Sequence, residues 1–172
     1  FEEQSNLLSL KTGDITCHWK KENPKEIDTF KADNGVEVKY GNVFTITAPT
    51  ARYESLGDTL DSHTPNGILH LIANSEDEDC KMHWGPNYLS SDEVIIKTEE
   101  KILHLKNPTG AFASSLIASH EGNLKVAASE LVWDYQNRTI HLSKNATFES
   151  KGFGQITAEE DICIHHEDSS ES

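Results

Sequence analysis

Residues 92–106, DEVIIKTEEKILHLK, match residues 129–143, SELVWDYQNRTIHLS, without a gap. Glu93 aligns with Glu130, so the offset between the two stretches is 37 residues. His104 and Leu105 in the first stretch are also identical to their counterparts in the second, and several other aligned pairs keep their chemical type. Each copy reads as a strand, a polar turn and a returning strand, which is the pattern of a β-hairpin. A repeated hairpin predicts an all-β protein.

Side chains alternate between two faces along each strand of this repeat. We call one of them the apolar face, and it carries Val94, Ile96, Leu103, Leu105, Leu131, Trp133, Ile140 and Leu142. The opposite face is polar and carries Glu93, Lys97, His104, Lys106, Glu130, Asp134, His141 and Ser143. Hairpins that are apolar on one side cannot bury that side alone, so they stack or fold over one another. The expected architecture is a sandwich, a roll or a β-solenoid.

The rest of the chain supports the same fold class. No stretch of a dozen residues has sustained helical periodicity, whereas short alternating runs recur from about Gly35 onward. Residues 1–10 are expected to form a loose arm or an edge strand. The candidate strands are residues 15–19, 35–40, 43–48, 51–55, 67–73, 81–84, 92–98, 102–106, 111–120, 123–127, 129–135, 139–143, 146–150, 154–157 and 161–165.

Composition limits the kind of protein further. The chain has 172 residues, 35% of them hydrophobic, with 29 acidic against 15 basic side chains and a net charge of -14. We expect one domain over residues 1–166 and a disordered acidic tail over residues 167–172. The net negative charge argues against nucleic acid as a partner, because nucleic-acid affinity depends on cations that displace counterions. The longest apolar runs are too short to cross a bilayer.

Catalytic and metal-binding patterns are absent from the sequence. It contains no G-x-S-x-G elbow, no H-E-x-x-H motif and no phosphate-binding glycine loop. His165 and His166 lie beside Cys163 and Glu167, but adjacent residues of a strand point to opposite faces and cannot share one ion without a bulge. The three cysteines are widely spaced and leave the disulfide state open. We therefore expect a protein that is not an enzyme, with no cofactor and no metal.

One motif gives the repeat a family resemblance. Residues 127–146, AASELVWDYQNRTIHLSKNA, resemble the OstA-like unit of bacterial lipopolysaccharide-transport proteins. In that unit, spaced small residues lead to an aromatic residue followed by Asp, here Trp133-Asp134, and then to a short polar turn. A Leu-x-Leu return strand follows, here residues 140–142. Residues 144–146 replace the usual Gly-Asn-Val ending, and the glycine is lost.

Two further segments extend this resemblance. Residues 152–158, GFGQITA, and residues 40–53, YGNVFTITAPTARY, both look like the segment that opens a following unit. The resemblance covers residues 36–164, is weaker between 56 and 87, and is absent from the first residues and the tail.

The resemblance implies a fold and a function. The fold would be a twisted, slightly open antiparallel β-jellyroll, and its interior groove would shield lipid A acyl chains while the saccharide stays in water. The protein would be a non-enzymatic lipopolysaccharide transporter in the periplasm, either soluble or tethered to the inner membrane by a segment before Phe1. Its partners would be lipopolysaccharide, other transport proteins paired through edge strands, and further copies joined head to tail. We expect the apolar face of the repeat to contact the lipid.

Two other functions compete with this one. A metal-binding jellyroll enzyme of the cupin type would have a similar fold, although the His-x-His motif with a following Glu is missing. An extracellular β-repeat module that binds a protein or a carbohydrate is the other alternative. The net charge of -14 also opposes the phosphates of lipid A, a repulsion that salt screens over about 8–10 Å.

Overall fold

The computed structural model describes residues 8–19, 21, 27–40, 44–57, 67–73, 78–85, 87–98, 100–112, 124–143, 145–150 and 154–165. These residues contain sixteen strands and no helix. The strands are β1 (Leu8–Trp19), β2 (Ile27–Tyr40), β3 (Phe44–Ala48), β4 (Thr50–Ser55), β5 (Gly67–Ile72), β6 (Cys80–Trp84), β7 (Asn87–Ser91), β8 (Glu93–Lys97), β9 (Ile102–Lys106), β10 (Thr109–Phe112), β11 (Leu124–Ala127), β12 (Glu130–Asp134), β13 (Thr139–Leu142), β14 (Ala146–Ser150), β15 (Gly154–Ala158) and β16 (Ile162–His165).

All sixteen strands belong to one antiparallel sheet with β2 near its middle. One edge of β2 pairs with β3 along residues 36–40 and with β4 along residues 29–32, while its other edge pairs with β1. From β2 the sheet continues in two directions. The β3 half-sheet has the order β3-β6-β7-β10-β11-β14-β15, and the β4 half-sheet has the order β4-β5-β8-β9-β12-β13-β16.

The chain passes between the two half-sheets at a series of corners. Pro49 lies between β3 and β4, Asp92 between β7 and β8, and Asn107 and Pro108 between β9 and β10. Backbone hydrogen bonds join successive corners: the Asp92 amide donates to the Lys106 carbonyl at 3.0 Å, and the Asn107 amide donates to the Ser129 carbonyl at 2.8 Å. The corners therefore form a backbone-bonded edge along one side of the molecule.

The two half-sheets pack their inner faces together over one core. Strand alternation sends every second side chain inward, and these positions are the buried ones: β5 and β8 alternate between buried residues and residues that are partly buried or exposed. The core draws on both half-sheets, with Leu69, Ile96 and Leu103 from one and Ile46, Met82 and Leu89 from the other, all 0% exposed. The protein is thus an open antiparallel roll of the jellyroll type.

The expected fold class is confirmed, with corrections to individual strands. The structure is all-β and antiparallel, as the repeat predicts. It adds β7, which lies outside the candidate strands, and it begins β2 at Ile27 rather than at Gly35. The arm is an edge strand from Leu8 onward. β10 ends at Phe112, and the rest of the strand expected over residues 111–120 lies outside the described residues, as does the tail 167–172.

Within the described part of the chain, no helix is long and apolar enough to cross a membrane.

Candidate ligand-binding interior

The apolar face of the repeat lies on the inner side of the β4 half-sheet. Strand register arranges its residues in two rows that run across the strands. The corner row, nearest the corners, contains Val94, Leu105, Leu131 and Leu142 in consecutive cross-strand pairs. The middle row, one inward position farther along each strand, contains Ile96, Leu103, Trp133 and Ile140. The structure therefore brings all eight residues together, and their contact with lipid stays a prediction.

Both rows continue beyond the repeat. Leu71 precedes Val94 in the corner row, and Leu69 precedes Ile96 in the middle row. At the other end, Ile162 of β16 follows Leu142. The inner face of the β4 half-sheet is therefore apolar across six successive strands, from β5 to β16.

Side chains fill the interior between the half-sheets. The eight residues of the apolar face are 0–1% exposed. Opposite them, the β3 half-sheet contributes a row of its own, with Ile46, Met82, Leu89, Val126 and Phe148 in successive strands except β10, where Gly110 stands. An acyl chain can enter this interior only by displacing some of the contacts between the half-sheets.

An aromatic cluster joins the half-sheets away from the corners. It consists of Phe44 and Trp84 from the β3 half-sheet and Trp133 and Tyr135 from the β4 half-sheet. The ring centroids of Trp84 and Trp133 are 4.8 Å apart, and those of Phe44 and Trp133 are 5.6 Å apart. Tyr135 packs edge-on against Phe44 at 6.2 Å and against Trp133 at 6.0 Å. Trp133 is thus a packed core residue and also the centre of this cluster.

The two ends of the roll expose apolar side chains from the inner face. Ile15 on β1 pairs with the buried Ala32 and is 53% exposed. Ile156 on β15 pairs with Phe148 and is 51% exposed. On strands that have a neighbour on both sides, inward-facing residues at equivalent positions are covered by the next strand. Among the described residues, each end therefore presents both an unpaired strand edge and an apolar contact for a further strand.

The outer face of the β4 half-sheet carries a network of charges. Glu93 on β8 contacts His70 on β5 at 2.9 Å and Lys106 on β9 at 3.3 Å. Burial by itself would raise the pKa of Glu93, but the hydrogen bonds from His70 and Lys106 outweigh burial and lower that pKa below its ordinary value of 4.5. Ile95 and Val132 are half-buried on the same face, which is therefore less polar than the sequence pattern suggests.

The cysteines are thiols and not halves of a disulfide. Cys80 faces the interior, and burial raises the pKa of its thiol to about 12. Cys163 on β16 is exposed, and its sulfur lies 3.8 Å from Nε2 of His141. Among the described residues, no group of three or more His, Cys, Asp and Glu side chains is arranged to hold a metal ion. His166 and Glu167 lie outside those residues.

Sequence reasoning missed most of the aromatic cluster. The strand pattern places Trp133 on the apolar face but assigns no role to Phe44, Trp84 or Tyr135. The three rings belong to segments far apart in the chain, and no local spacing connects them. Their only shared signal is that each lies at or next to the end of a candidate strand.

The sequence matches no protein-family model and no characterised protein at a significant level.

Proposed function

We propose that this protein is a non-enzymatic lipopolysaccharide-transport protein of the periplasm, which shields lipid A acyl chains between its two half-sheets. The observation that supports the proposal is the uninterrupted apolar inner face of the β4 half-sheet within a roll that is open at both ends. The resemblance of residues 127–146 to the OstA-like unit points in the same direction.

The energetics of burial fit this role. Each CH₂ group moved from water into an apolar interior contributes roughly 0.8 kcal/mol, so one long acyl chain supplies several kcal/mol. That amount is comparable with the cost of separating a few side-chain contacts between packed sheets. Binding of this kind is reversible, because the side-chain contacts that a chain displaces re-form when it leaves.

The ends of the roll fit a transporter that works in a chain of proteins. Within the part of the chain that the structure describes, β1 at one end and β15 with β16 at the other have unpaired edges that can add to the sheet of a neighbour. We propose that these edges bind other transport proteins or join copies head to tail. Joined rolls would continue the inner apolar rows from one molecule to the next.

Site-specific photocrosslinking on β9 tests the lipid site. A photoreactive residue at Leu105 points into the interior, whereas the same residue at His104, its neighbour in the chain, points outward. We expect lipopolysaccharide to crosslink at position 105 and not at position 104. Equal labelling of both positions would show that lipid does not lie between the half-sheets.

Lipid extraction from the purified protein, followed by mass spectrometry, tests the function independently. Lipid A that co-purifies with the protein supports the proposal. A preparation that carries no lipid and binds none on addition of lipopolysaccharide contradicts it.

A further inference from the structure

The side opposite the corners is closed by side-chain contacts between the two half-sheets. At the corners, backbone hydrogen bonds and the chain itself connect the half-sheets. On the opposite side, the ends of β3 and β6 meet the β12–β13 hairpin, and the sheet order contains no strand pair between these elements. We call this boundary the seam. The aromatic cluster spans it through contacts between side chains.

The four rings of the aromatic cluster differ in their exposure to solvent. Phe44 is 3% exposed and Trp133 is 1% exposed, so these two rings belong to the core. Trp84 and Tyr135 are only partly buried and pack against that core from the outside. The cluster therefore runs from the solvent into the middle row, where Trp133 stands between Leu103 and Ile140.

The rings are also suited to a place where an acyl chain crosses from water into the interior. Trp and Tyr have a large apolar body and one polar group, and they favour positions with an apolar side and a wet side. Ring pairs of this kind add stabilisation beyond the burial of their apolar area. A chain that slides between the rings replaces these contacts with contacts of its own, whereas entry at the corners would require breaking backbone hydrogen bonds.

We propose that acyl chains enter the interior at the seam, between Trp84 and Tyr135, and that these two rings form a gate that closes behind the chain. The inference rests on the proposed function and adds the route to it. The ligand class is an amphiphile with a long saturated chain, whose head group stays outside. The competing route is the open end at β15, where Ile156 exposes the inner face.

Tryptophan fluorescence tests whether the acyl chain reaches the aromatic cluster, and uptake kinetics then distinguish the two routes. The chain has three tryptophans: Trp84 and Trp133 are in the gate region, and Trp19 is on β1, 54% exposed. Stearate with a nitroxide quencher near its methyl end would be added to the Trp19→Phe variant. In this variant the fluorescence comes from Trp84 and Trp133. The same stearate would also be added to the double variant Trp84→Phe/Trp133→Phe, which leaves only Trp19. We expect severalfold stronger quenching in Trp19→Phe.

Uptake kinetics provide the second measurement. Trp84→Ala removes a gate ring, and we expect it to speed stearate uptake severalfold, with Trp84→Phe restoring the slower rate. Ile156→Lys places a charge at the open end and, because that side chain is already exposed, leaves the fold intact. We expect its uptake rate to equal that of the unmodified protein. Circular dichroism and urea unfolding of each variant would verify folding.

The outcomes separate the gate from the function. If radiolabelled stearate binds but the nitroxide-labelled stearate does not quench Trp84 and Trp133, the proposed gate is wrong. The proposed function in lipid transport is not contradicted by that result. Slower uptake in Ile156→Lys with no change in Trp84→Ala places the route at the β15 end and also overturns the gate. If neither stearate nor lipopolysaccharide binds, the proposed function fails and the gate fails with it.

Discussion

Gly110 is the one interruption in the apolar row of the β3 half-sheet. It pairs with Leu89 on one side and with Val126 on the other. A Cβ atom at this position would lie 2.8 Å from the Cα of Leu89 and closer still to the carbonyl oxygen of Tyr88. The neighbouring atoms belong to backbone in the middle of a sheet, which cannot move aside easily.

Gly110→Ala is therefore expected to reduce the free energy of unfolding by about 3 kcal/mol, as overpacking of a rigid core does. The measurement is urea unfolding followed by circular dichroism. Gly85→Ala is the matched control: the new Cβ meets no atom within 4 Å, and the positive φ of 56° costs about 1 kcal/mol. Equal losses in the two variants would show that crowding at Gly110 is relieved by backbone movement.

Cys80 offers a second test at the level of single residues. Its thiol is buried and its pKa is raised to about 12, so the reactive thiolate is scarce at pH 8 and the reagent has no access. In the native protein we expect a maleimide to label Cys163 fast and Cys80 only after unfolding in urea. Mass spectrometry of peptides identifies the labelled positions. Rapid native labelling of Cys80 would mean that the half-sheets separate often.

At the scale of elements, the contact between β5, β8 and β9 predicts a dependence of stability on pH. The pKa of Glu93 is lower in the folded protein than its ordinary value of 4.5, because hydrogen bonds from His70 and Lys106 favour the carboxylate. Such a group stabilises the fold fully above the unfolded pKa, and the stabilisation is lost as pH falls through the folded pKa.

We expect Glu93→Gln to be less stable than the unmodified protein at pH 6, with the difference shrinking as pH falls below 4.5. Urea unfolding at a series of pH values gives both free energies. Glu54→Gln, an exposed substitution on β4, is the control against which the trend is compared. A difference for Glu93→Gln that stays constant down to pH 3 would contradict the role of the carboxylate charge.

The elements themselves were predictable to different degrees. The repeated hairpins β8–β9 and β12–β13 follow from alternation and from the aligned copies, and the structure has both. β7 was missed because its sequence, NYLSS, has few β-branched residues, so its strand conformation depends on pairing with β6 and β10. The first half of β2 was missed because its charged residues hide the alternation of Phe30 and Ala32, which the fold buries against β4.

At the scale of the whole molecule, the two ends differ in how well their edges are protected. β1 carries Lys11 and Asp14 and has a register shift between Thr12 and Asp14, features that discourage pairing with another chain. β15, with the sequence GQITA, has no charged residue. The β15 end is therefore the better site for association with a neighbour.

Thr157→Lys on β15 is expected to weaken self-association without unfolding the protein, because an edge lysine opposes strand addition. Thr147, its register partner on β14, lies one strand inside the edge, so Thr147→Lys is the matched control. Sedimentation velocity at rising concentration should show oligomers for the unmodified protein and the control, and a larger monomer fraction for Thr157→Lys. Oligomers that persist in Thr157→Lys would exclude this edge from the contact.

Local information in the sequence determined the fold class and the inward residues of the repeat. Period-two alternation is a property of a few neighbouring residues, so it places Val94, Leu105 and Leu131 on one face before any tertiary contact is known. Only the tertiary structure decided which half-sheet lies opposite that face and which rings close the seam. Phe44 meets Trp133 because β2 divides the sheet and the corners fold it over, and such contacts between distant segments leave no periodic trace in the chain.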